Sequence, residues 1–297
     1  MKIDPIDLNI IREVENGCRI FLDLMEKRLN LSQEEIKLRL QKLESERLIQ
    51  AYKVIILIPP FLGGEWSLGS CLAIATQSEG AINQIIEKLP FVTEVSQNSA
   101  LPDGIGPNLG ILFYTKDFPT NVQFLKELKE LDYCEIYNLS EYSFPIPTPL
   151  STKEIEFLRI LFNHPIATIE EWSEMIKQDS LWIKEKLGRL VASPANESAV
   201  IQVLPELDWR VCENYCHVHF IVEKGTEPNW AKLSDFQPVL SSRPFRERFG
   251  QLETDLWGFD QLNARIKILK QSNVVLKGIV LAETHRVINH WATKLLE

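Results

Sequence analysis

The feature that most constrains the fold of this chain is an order of helical and strand-like segments that occurs twice, about 145 residues apart. Each copy begins with three short amphipathic helical segments and a β-rich segment, and continues with alternating strands and helices. A period of this length is far longer than the repeats of solenoid proteins. The pattern therefore predicts the duplication of a two-domain unit.

The opening segment of each copy has the spacing and end signals of a winged helix-turn-helix. Ile6, Ile10 and Val14 recur at four-residue spacing, which predicts one apolar face on the first helix. Ser32 followed by Glu35 is a capping-box pattern that predicts the start of the third helix. The wing and the second copy are predicted over residues 50–58, 151–162, 169–176, 180–191 and 200–204.

The second part of each copy has the order strand, helix, strand, strand, helix, strand, which is typical of a ferredoxin-like antiparallel sheet. The sequence thus predicts an α+β fold in which two winged helix-turn-helix domains alternate with two ferredoxin-like βαββαβ domains. In the second copy we expect a helix over residues 230–236 and strands over residues 244–249 and 252–257. The proline- and glycine-rich boundaries give predicted domains over residues 1–60, 66–146, 150–208 and 211–297.

The composition is that of a folded protein, with 45% hydrophobic and 25% charged residues. The start of the chain lacks the apolar core of a signal peptide, and the longest apolar run, residues 54–62, contains two prolines. Five scattered cysteines are typical of reduced thiols. We therefore expect a cytoplasmic protein with no membrane-spanning segment.

The run SQEEIKLRLQKLESERLIQAY, residues 32–52, resembles the DNA-binding motif of the Lrp/AsnC family. The matching positions are Leu31, Ser32, Ile36, Arg39, Leu40, Leu43, Glu44, Leu48, Ile49 and Tyr52, and Asp7, Asn9 and Ile10 fit the family's opening helix. Members of the family join a winged helix-turn-helix to a βαββαβ ligand-sensing domain. The resemblance implies a transcriptional regulator whose partners are DNA and a small-molecule effector.

The third helix of each unit supplies the predicted DNA contacts, because the N-terminal part of this helix enters the major groove in such motifs. The predicted DNA-binding residues are Ser32, Gln33, Lys37, Arg39 and Lys42 in the first unit and Lys184, Lys186 and Arg189 in the second. We expect the fold to be indifferent to replacement of Lys37 or Lys42. The alternative is a solvent-exposed helix face, which the net charge of −9 and the nearby Glu34 favour.

The resemblance also implies an effector site between sensing domains, at the glycine-containing loop that joins the second and third strands. Here that loop reads LPDGIGP, and Asp103, Gly104 and Gly106 are the predicted ligand-binding residues. Glycines at a turn are explained equally well by a positive φ.

Self-association through the sheets is expected on physical grounds. A four-stranded sheet with both helices on one face leaves the other face bare, and burial of apolar surface is favourable. We assign Leu72, Ile74, Ile111 and Phe113 to that bare face, and expect a second sheet to cover it, from the same chain or from another.

Two other functions fit the same architecture. Siroheme decarboxylases are similar in pairing two such units, so the resemblance also implies a tetrapyrrole enzyme. The basic candidates for a tetrapyrrole carboxylate are His217, His219, Arg243, Arg246 and Arg248. The third hypothesis is a ligand-binding or scaffold protein with neither activity.

The segment 212–219, CENYCHVH, is the densest set of metal-binding residue types in the sequence. Strand alternation puts His217 and His219 on one face, where two imidazoles could bind a metal. The sequence shows no second ligand cluster to complete the site, and no phosphate-binding glycine loop. We therefore predict no metal, no cofactor and no catalytic residues, with an edge strand carrying buried thiols as the simpler interpretation.

Overall fold

A computed structural model describes residues 1–76, 78–100, 107–138, 149–193, 199–224, 229–238, 249–258 and 260–297. In this part of the chain the protein has an α+β fold in which two winged helix-turn-helix units alternate with two ferredoxin-like units. The predicted fold class is therefore confirmed. No described helix is both long enough and apolar enough to cross a lipid bilayer.

The first helix-turn-helix forms where the sequence supplies caps and an apolar face. Its elements are α1 (Pro5–Glu15), α2 (Leu22–Leu29), α3 (Gln33–Ser45) and the wing strand β1 (Ile49–Ile56). Asp4 and Asp7 form a capping box at α1, and the Ser32 side chain accepts a hydrogen bond from the Glu35 amide at α3. Ile10 is fully buried, whereas Ile6 of the same predicted face is exposed.

The first sheet follows a short helix, α4 (Ile58–Leu62). Its strands are β2 (Ser67–Ala75), β3 (Val92–Ala100), β4 (Leu109–Thr115) and β5 (Leu131–Asn138), and its helices are α5 (Ser78–Lys88) and α6 (Phe118–Glu127). The strand order β5-β2-β4-β3 is antiparallel throughout. Ala81 and Ile85 of α5 and Leu125 of α6 share one apolar core with the sheet, so both helices cover the same face.

The second helix-turn-helix repeats the first. It contains α7 (Thr152–Asn163), α8 (Ile169–Ile176), α9 (Ser180–Leu190) and the wing strand β6 (Ile201–Asp208). Ser151 and Thr168 each form a capping box, and Asp179 caps α9. Leu158, Trp172 and other buried side chains of this unit belong to the same apolar core as those of the first unit.

The second sheet diverges from the prediction in its middle. Its elements are β7 (Cys216–Lys224), β8 (Gln237–Pro238), β9 (Phe249–Leu256), α10 (Asp260–Gln271) and β10 (Val274–Val287), followed by the terminal helix α11 (Ala292–Leu296). A single 3-10 turn, Trp230–Leu233, replaces the helix expected over residues 230–236. The strand expected over 244–249 lies outside the described residues, except for Phe249 at the start of β9.

Backbone pairing joins the two halves. The edge strand β3 of the first sheet pairs antiparallel with β10 of the second, from Glu94 opposite Val287 to Ala100 opposite Val280. The described strands then form one sheet in the order β5-β2-β4-β3-β10-β7-β9-β8. The wing strands β1 and β6 pair with each other, and β6 also contacts β10. The two sheets thus meet edge to edge.

The expectation for the bare sheet face was wrong in part. Ile111 and Phe113 lie in the core that α5 and α6 cover, because they are cross-strand partners of Cys71 and Gly69 on the helix side. Leu72 of β2 points to the opposite face and is only partly buried. Within the chain, the two sheets meet through their edge strands β3 and β10 and not face to face as we expected. Self-association between chains stays a prediction.

Two buried carboxylates tie the third helix of each unit to its first helix. Asp7 of α1 is fully buried and forms ion pairs of 2.8 Å with both Arg39 and Lys42 of α3. In the second unit, Glu154 of α7 is buried and pairs with Lys186 at 3.4 Å and with Arg189. The three positions are separated by the same offset along the chain in both units, so the duplication has kept the whole ion-pair cluster.

We predict that Arg39→Ala lowers the free energy of unfolding by about 3 kcal/mol, because it leaves the buried Asp7 carboxylate without one of its two cations. Lys37→Ala on the same helix is the matched control, and should change stability by less than about 0.5 kcal/mol because Lys37 is exposed. Urea denaturation of both variants measures the difference. Equal stability of the two variants would contradict this role for Arg39.

Candidate active site

The candidate active site is a cavity, lined by ionisable and aromatic side chains, that lies where α1 of the first unit packs over the second sheet. Its volume is about 740 Å³. The side chains around it come from α1, from β7 and β9, from α10 and from the segments that flank β7: Pro5, Leu8, Asn9, Arg12, Glu13, Glu15, Asn16, Trp209, Tyr215, His217, Asp235, Glu253, Thr254, Asp255, Trp257, Gln261 and Arg265. The cavity therefore exists only because the two halves of the chain are joined.

Strand alternation and register bring four polar side chains together beside this cavity. His217 and His219 point to the same side of β7, while Val218 and Phe220 between and beyond them are buried in the helix-covered core. In the antiparallel pairing of β7 with β9, His217 lies opposite Asp255 and His219 lies opposite Glu253. The two histidines and two carboxylates consequently share one face of the sheet.

Hydrogen bonds order this polar cluster. The Tyr215 hydroxyl group donates to Asp255 Oδ1 at 2.5 Å, and His217 Nδ1 lies 3.4 Å from the same oxygen. Arg12 of α1 forms an ion pair with the other oxygen of Asp255. Asp255 is thus the common partner of an imidazole, a phenol and a guanidinium group, and it connects the first unit to the second sheet.

Burial and neighbouring charges shift the pKa values of the cluster in opposite directions. Burial alone would lower the pKa of His217, but its hydrogen bonds with Asp255 and Glu253 raise that pKa to about 10. Burial and the charge of His217 lower the pKa of His219 to about 3. Burial also raises the pKa of Glu15, which lies nearby on α1. These opposite shifts favour a charged imidazolium at His217 and a neutral imidazole at His219.

Aromatic rings form one side of the cavity. Trp209 and Tyr215 have ring centroids 5.1 Å apart, and Tyr215 and Trp257 have centroids 5.3 Å apart. The His217 ring stacks on Trp209 at 5.9 Å. Together these rings give the polar cluster an aromatic border.

Sequence reasoning found two members of the cluster and missed the others. His217 and His219 were recognised from their spacing. Glu253 and Asp255 occur in the run LETDL, where they alternate with two leucines and a threonine as a strand with one charged face would. That alternation was the available signal, but only the register of β7 with β9 shows which face meets the histidines.

The predicted DNA-binding residues of the first unit have several different environments. Ser32 caps α3, and Gln33 donates a hydrogen bond to Glu26 at 3.0 Å. Lys37 is exposed. Arg39 and Lys42, by contrast, contact the buried Asp7. Replacement of Lys42 should therefore affect the stability of the fold, contrary to our expectation from the sequence.

The second unit shows the same division. Lys184 is exposed on α9, while Lys186 and Arg189 pair with the buried Glu154. Lys37 and Lys184 line the same cavity of about 840 Å³ between the two helix-turn-helix units, next to Phe21 and Trp172. The two third helices thus face a common space within the protein.

Several predicted ligand-binding residues lie outside the described residues. These are Asp103, Gly104 and Gly106 of the effector loop and the basic residues Arg243, Arg246 and Arg248. Their part in a site stays a prediction.

Comparison with known proteins gives matches only among solved structures, since no protein-family model and no curated sequence matches the chain. The siroheme decarboxylase NirDL is similar over 98% of both chains, at 12% sequence identity and a TM-score of 0.46. NirDL in complex with an iron-uroporphyrin III analogue is similar over the same shares, at 11% identity and a TM-score of 0.45. Escherichia coli AsnC aligns with 50% of this chain and 99% of its own, at 18% identity and a TM-score of 0.28. At these levels of similarity the function has to be argued from the site itself.

Proposed function

We propose that this chain is a tetrapyrrole enzyme of the siroheme decarboxylase type, with its active site in the cavity between α1 and the second sheet. The observation that carries the proposal is the convergence in one cavity of an aromatic side and the hydrogen-bonded cluster of Tyr215, His217 and Asp255. A concave site with apolar walls and a few convergent polar groups is the usual form of a small-molecule site.

The cavity has a volume typical of small-molecule sites and a lining of aromatic rings and guanidinium groups that suits a carboxylated aromatic ligand. Its volume of about 740 Å³ falls within the range of roughly 300–1,000 Å³ found for ligand sites. Trp209, Tyr215 and Trp257 contribute aromatic rings to this lining, and Trp257 is the most exposed of the three. Arg12 and Arg265 supply guanidinium groups at the cavity, and their ion pairs with Asp255 and Asp235 use only some of the five N–H donors of each.

The polar cluster fits the removal of an acetate carboxyl group. Decarboxylation breaks the bond between the methylene and carboxyl carbons, CO₂ leaves, and the electron pair that remains on the methylene carbon must accept a proton. Tyr215 is the proton donor in this proposal and is held by Asp255; solvent returns the proton after product release.

DNA binding through α3 and α9 is the second candidate function, and it rests on Lys37 and Lys184. Both lysines are exposed, and neither forms an ion pair with any residue that the structure describes. Against it, the four other predicted phosphate contacts are engaged with buried or partly buried carboxylates. Paired helix-turn-helix units usually place their recognition helices about 34 Å apart in successive major grooves, whereas here both helices line one cavity.

We predict that the purified chain binds iron-uroporphyrin III with a one-to-one stoichiometry, detected as a shift of the porphyrin absorption band on titration. Arg265→Ala should weaken binding by about tenfold or more, because a charge-assisted hydrogen bond contributes about 1.5–3 kcal/mol. Tyr215→Phe should bind the porphyrin as the unaltered protein does. Its rate of CO₂ release from siroheme should fall at least about a hundredfold, since it lacks the proton donor.

Arg286→Ala is the matched control for that titration, because Arg286 pairs with the exposed Glu79 outside this cavity. It should bind and react as the unaltered protein does. The absence of any spectral shift in the unaltered protein, or identical affinities for Arg265→Ala and Arg286→Ala, would count against the proposed active site.

The proposal also predicts no specific DNA binding. The measurement is fluorescence anisotropy at about 50 mM salt with a DNA duplex from the upstream region of the protein's own gene. The proteins compared are the unaltered protein, the double variant Lys37→Ala with Lys184→Ala, and the control Lys153→Ala on α7. All three should give the same weak signal. Binding that is lost only in the double variant, with an affinity falling by roughly 0.9 log units per phosphate contact per tenfold rise in salt, would instead support the DNA-binding hypothesis.

A further inference from the structure

We propose that His217, His219 and Glu253 bind one divalent transition-metal ion beside the cavity. The three side chains lie on neighbouring strands and on the same face of the second sheet. One potential ligand atom from each lies within 4.8 Å of the others. This inference goes beyond the proposed decarboxylase activity and does not depend on which organic molecule occupies the cavity.

The distances between the donor atoms are close to those of a bound ion. His217 Nε2 and His219 Nε2 each lie 3.7 Å from Glu253 Oε2. A tetrahedral ion with bonds of about 2.0–2.1 Å separates its donor atoms by roughly 3.4 Å. Side-chain movements of a few tenths of an ångström would therefore bring Glu253 and each imidazole to bonding distance of a shared ion.

The surrounding groups have the arrangement that usually supports a metal-bound histidine. In such sites the ring nitrogen that does not bind the metal contacts a carboxylate, which fixes the orientation of the imidazole. Here His217 Nδ1 lies 3.4 Å from Asp255 Oδ1, on the side of the ring away from the atom that faces Glu253. Tyr215 and Arg12 in turn hold Asp255 in place.

The type of ion follows from the donor set and from the cavity. Two imidazoles and one carboxylate suit Zn²⁺, Fe²⁺ or Co²⁺, whereas Mg²⁺ and Ca²⁺ favour oxygen ligands alone. His217 and Glu253 both line the cavity, so an ion bound by the three side chains would keep a coordination position open toward it. Three protein ligands with an open position are typical of a reactive rather than a structural metal site.

The test uses the full-length protein, freed of metal with EDTA and titrated with Zn²⁺ by calorimetry and with Co²⁺ by visible absorption. We expect one ion per chain and Co²⁺ ligand-field bands of a four- or five-coordinate site. His219→Ala and Glu253→Gln should each weaken Zn²⁺ binding at least tenfold, and Glu253→Gln keeps the shape of the side chain, so it should fold normally. The control is His290→Ala, which removes an exposed histidine in the segment after β10 and should bind as the unaltered protein does.

Two results would overturn the inference: no Zn²⁺ or Co²⁺ binding by the unaltered protein, or one-ion binding that persists unchanged in both His219→Ala and Glu253→Gln. A parallel titration of the metal-free protein with iron-uroporphyrin III separates this inference from the proposed function. Porphyrin binding without Zn²⁺ binding would leave the proposed function standing alone, and Zn²⁺ binding without porphyrin binding would leave the metal site alone.

Discussion

The antiparallel pairing of β3 with β10 is the interaction on which the rest of this structure depends. It joins two four-stranded sheets edge to edge through backbone hydrogen bonds, which are satisfied whatever side chains the strands carry. The pairing of β1 with β6 joins the two helix-turn-helix units in the same way. With both joints in place, α1 of the first half lies over the second sheet, and Arg12 of α1 reaches Asp255 of β9. Neither half alone would enclose the cavity.

The order of elements could be predicted from the sequence because its signals are local. Caps such as Ser32 and Thr168 act within one turn of a helix, and the alternation of polar and apolar residues in β7 shows directly which side chains share a face. The 3-10 turn Trp230–Leu233 was missed because a single apolar face on a short segment fits a helix as well as it fits a turn. Ile111 and Phe113 were assigned to the wrong face because the register of β4 with β2 is a long-range property.

The candidate site depends even more on long-range strand pairing, which local sequence patterns do not reveal. His217 and His219 are two residues apart, so their common face was evident, but Glu253 and Asp255 meet them only through the pairing of β7 with β9. The ion pair of Lys42 could not be predicted from local sequence patterns either, because its partner lies on another helix. Its position on α3 fits a solvated face, yet the fully buried Asp7 on α1 draws it into an ion pair. A buried charge must be paired, and the chain pairs it with residues that would otherwise be available for phosphate contacts.

These features give a physical account of how a helix-turn-helix scaffold can serve a small-molecule site. The third helices α3 and α9 contribute cations to internal ion-pair clusters, and α1 contributes a wall and a guanidinium group to the cavity.

The most direct measurement is a crystal structure of the full chain grown with iron-uroporphyrin III. The account predicts porphyrin density against Trp209 and Trp257, between α1 and β9. Density between α3 and α9 instead, or on the outer surface of the protein, would contradict it.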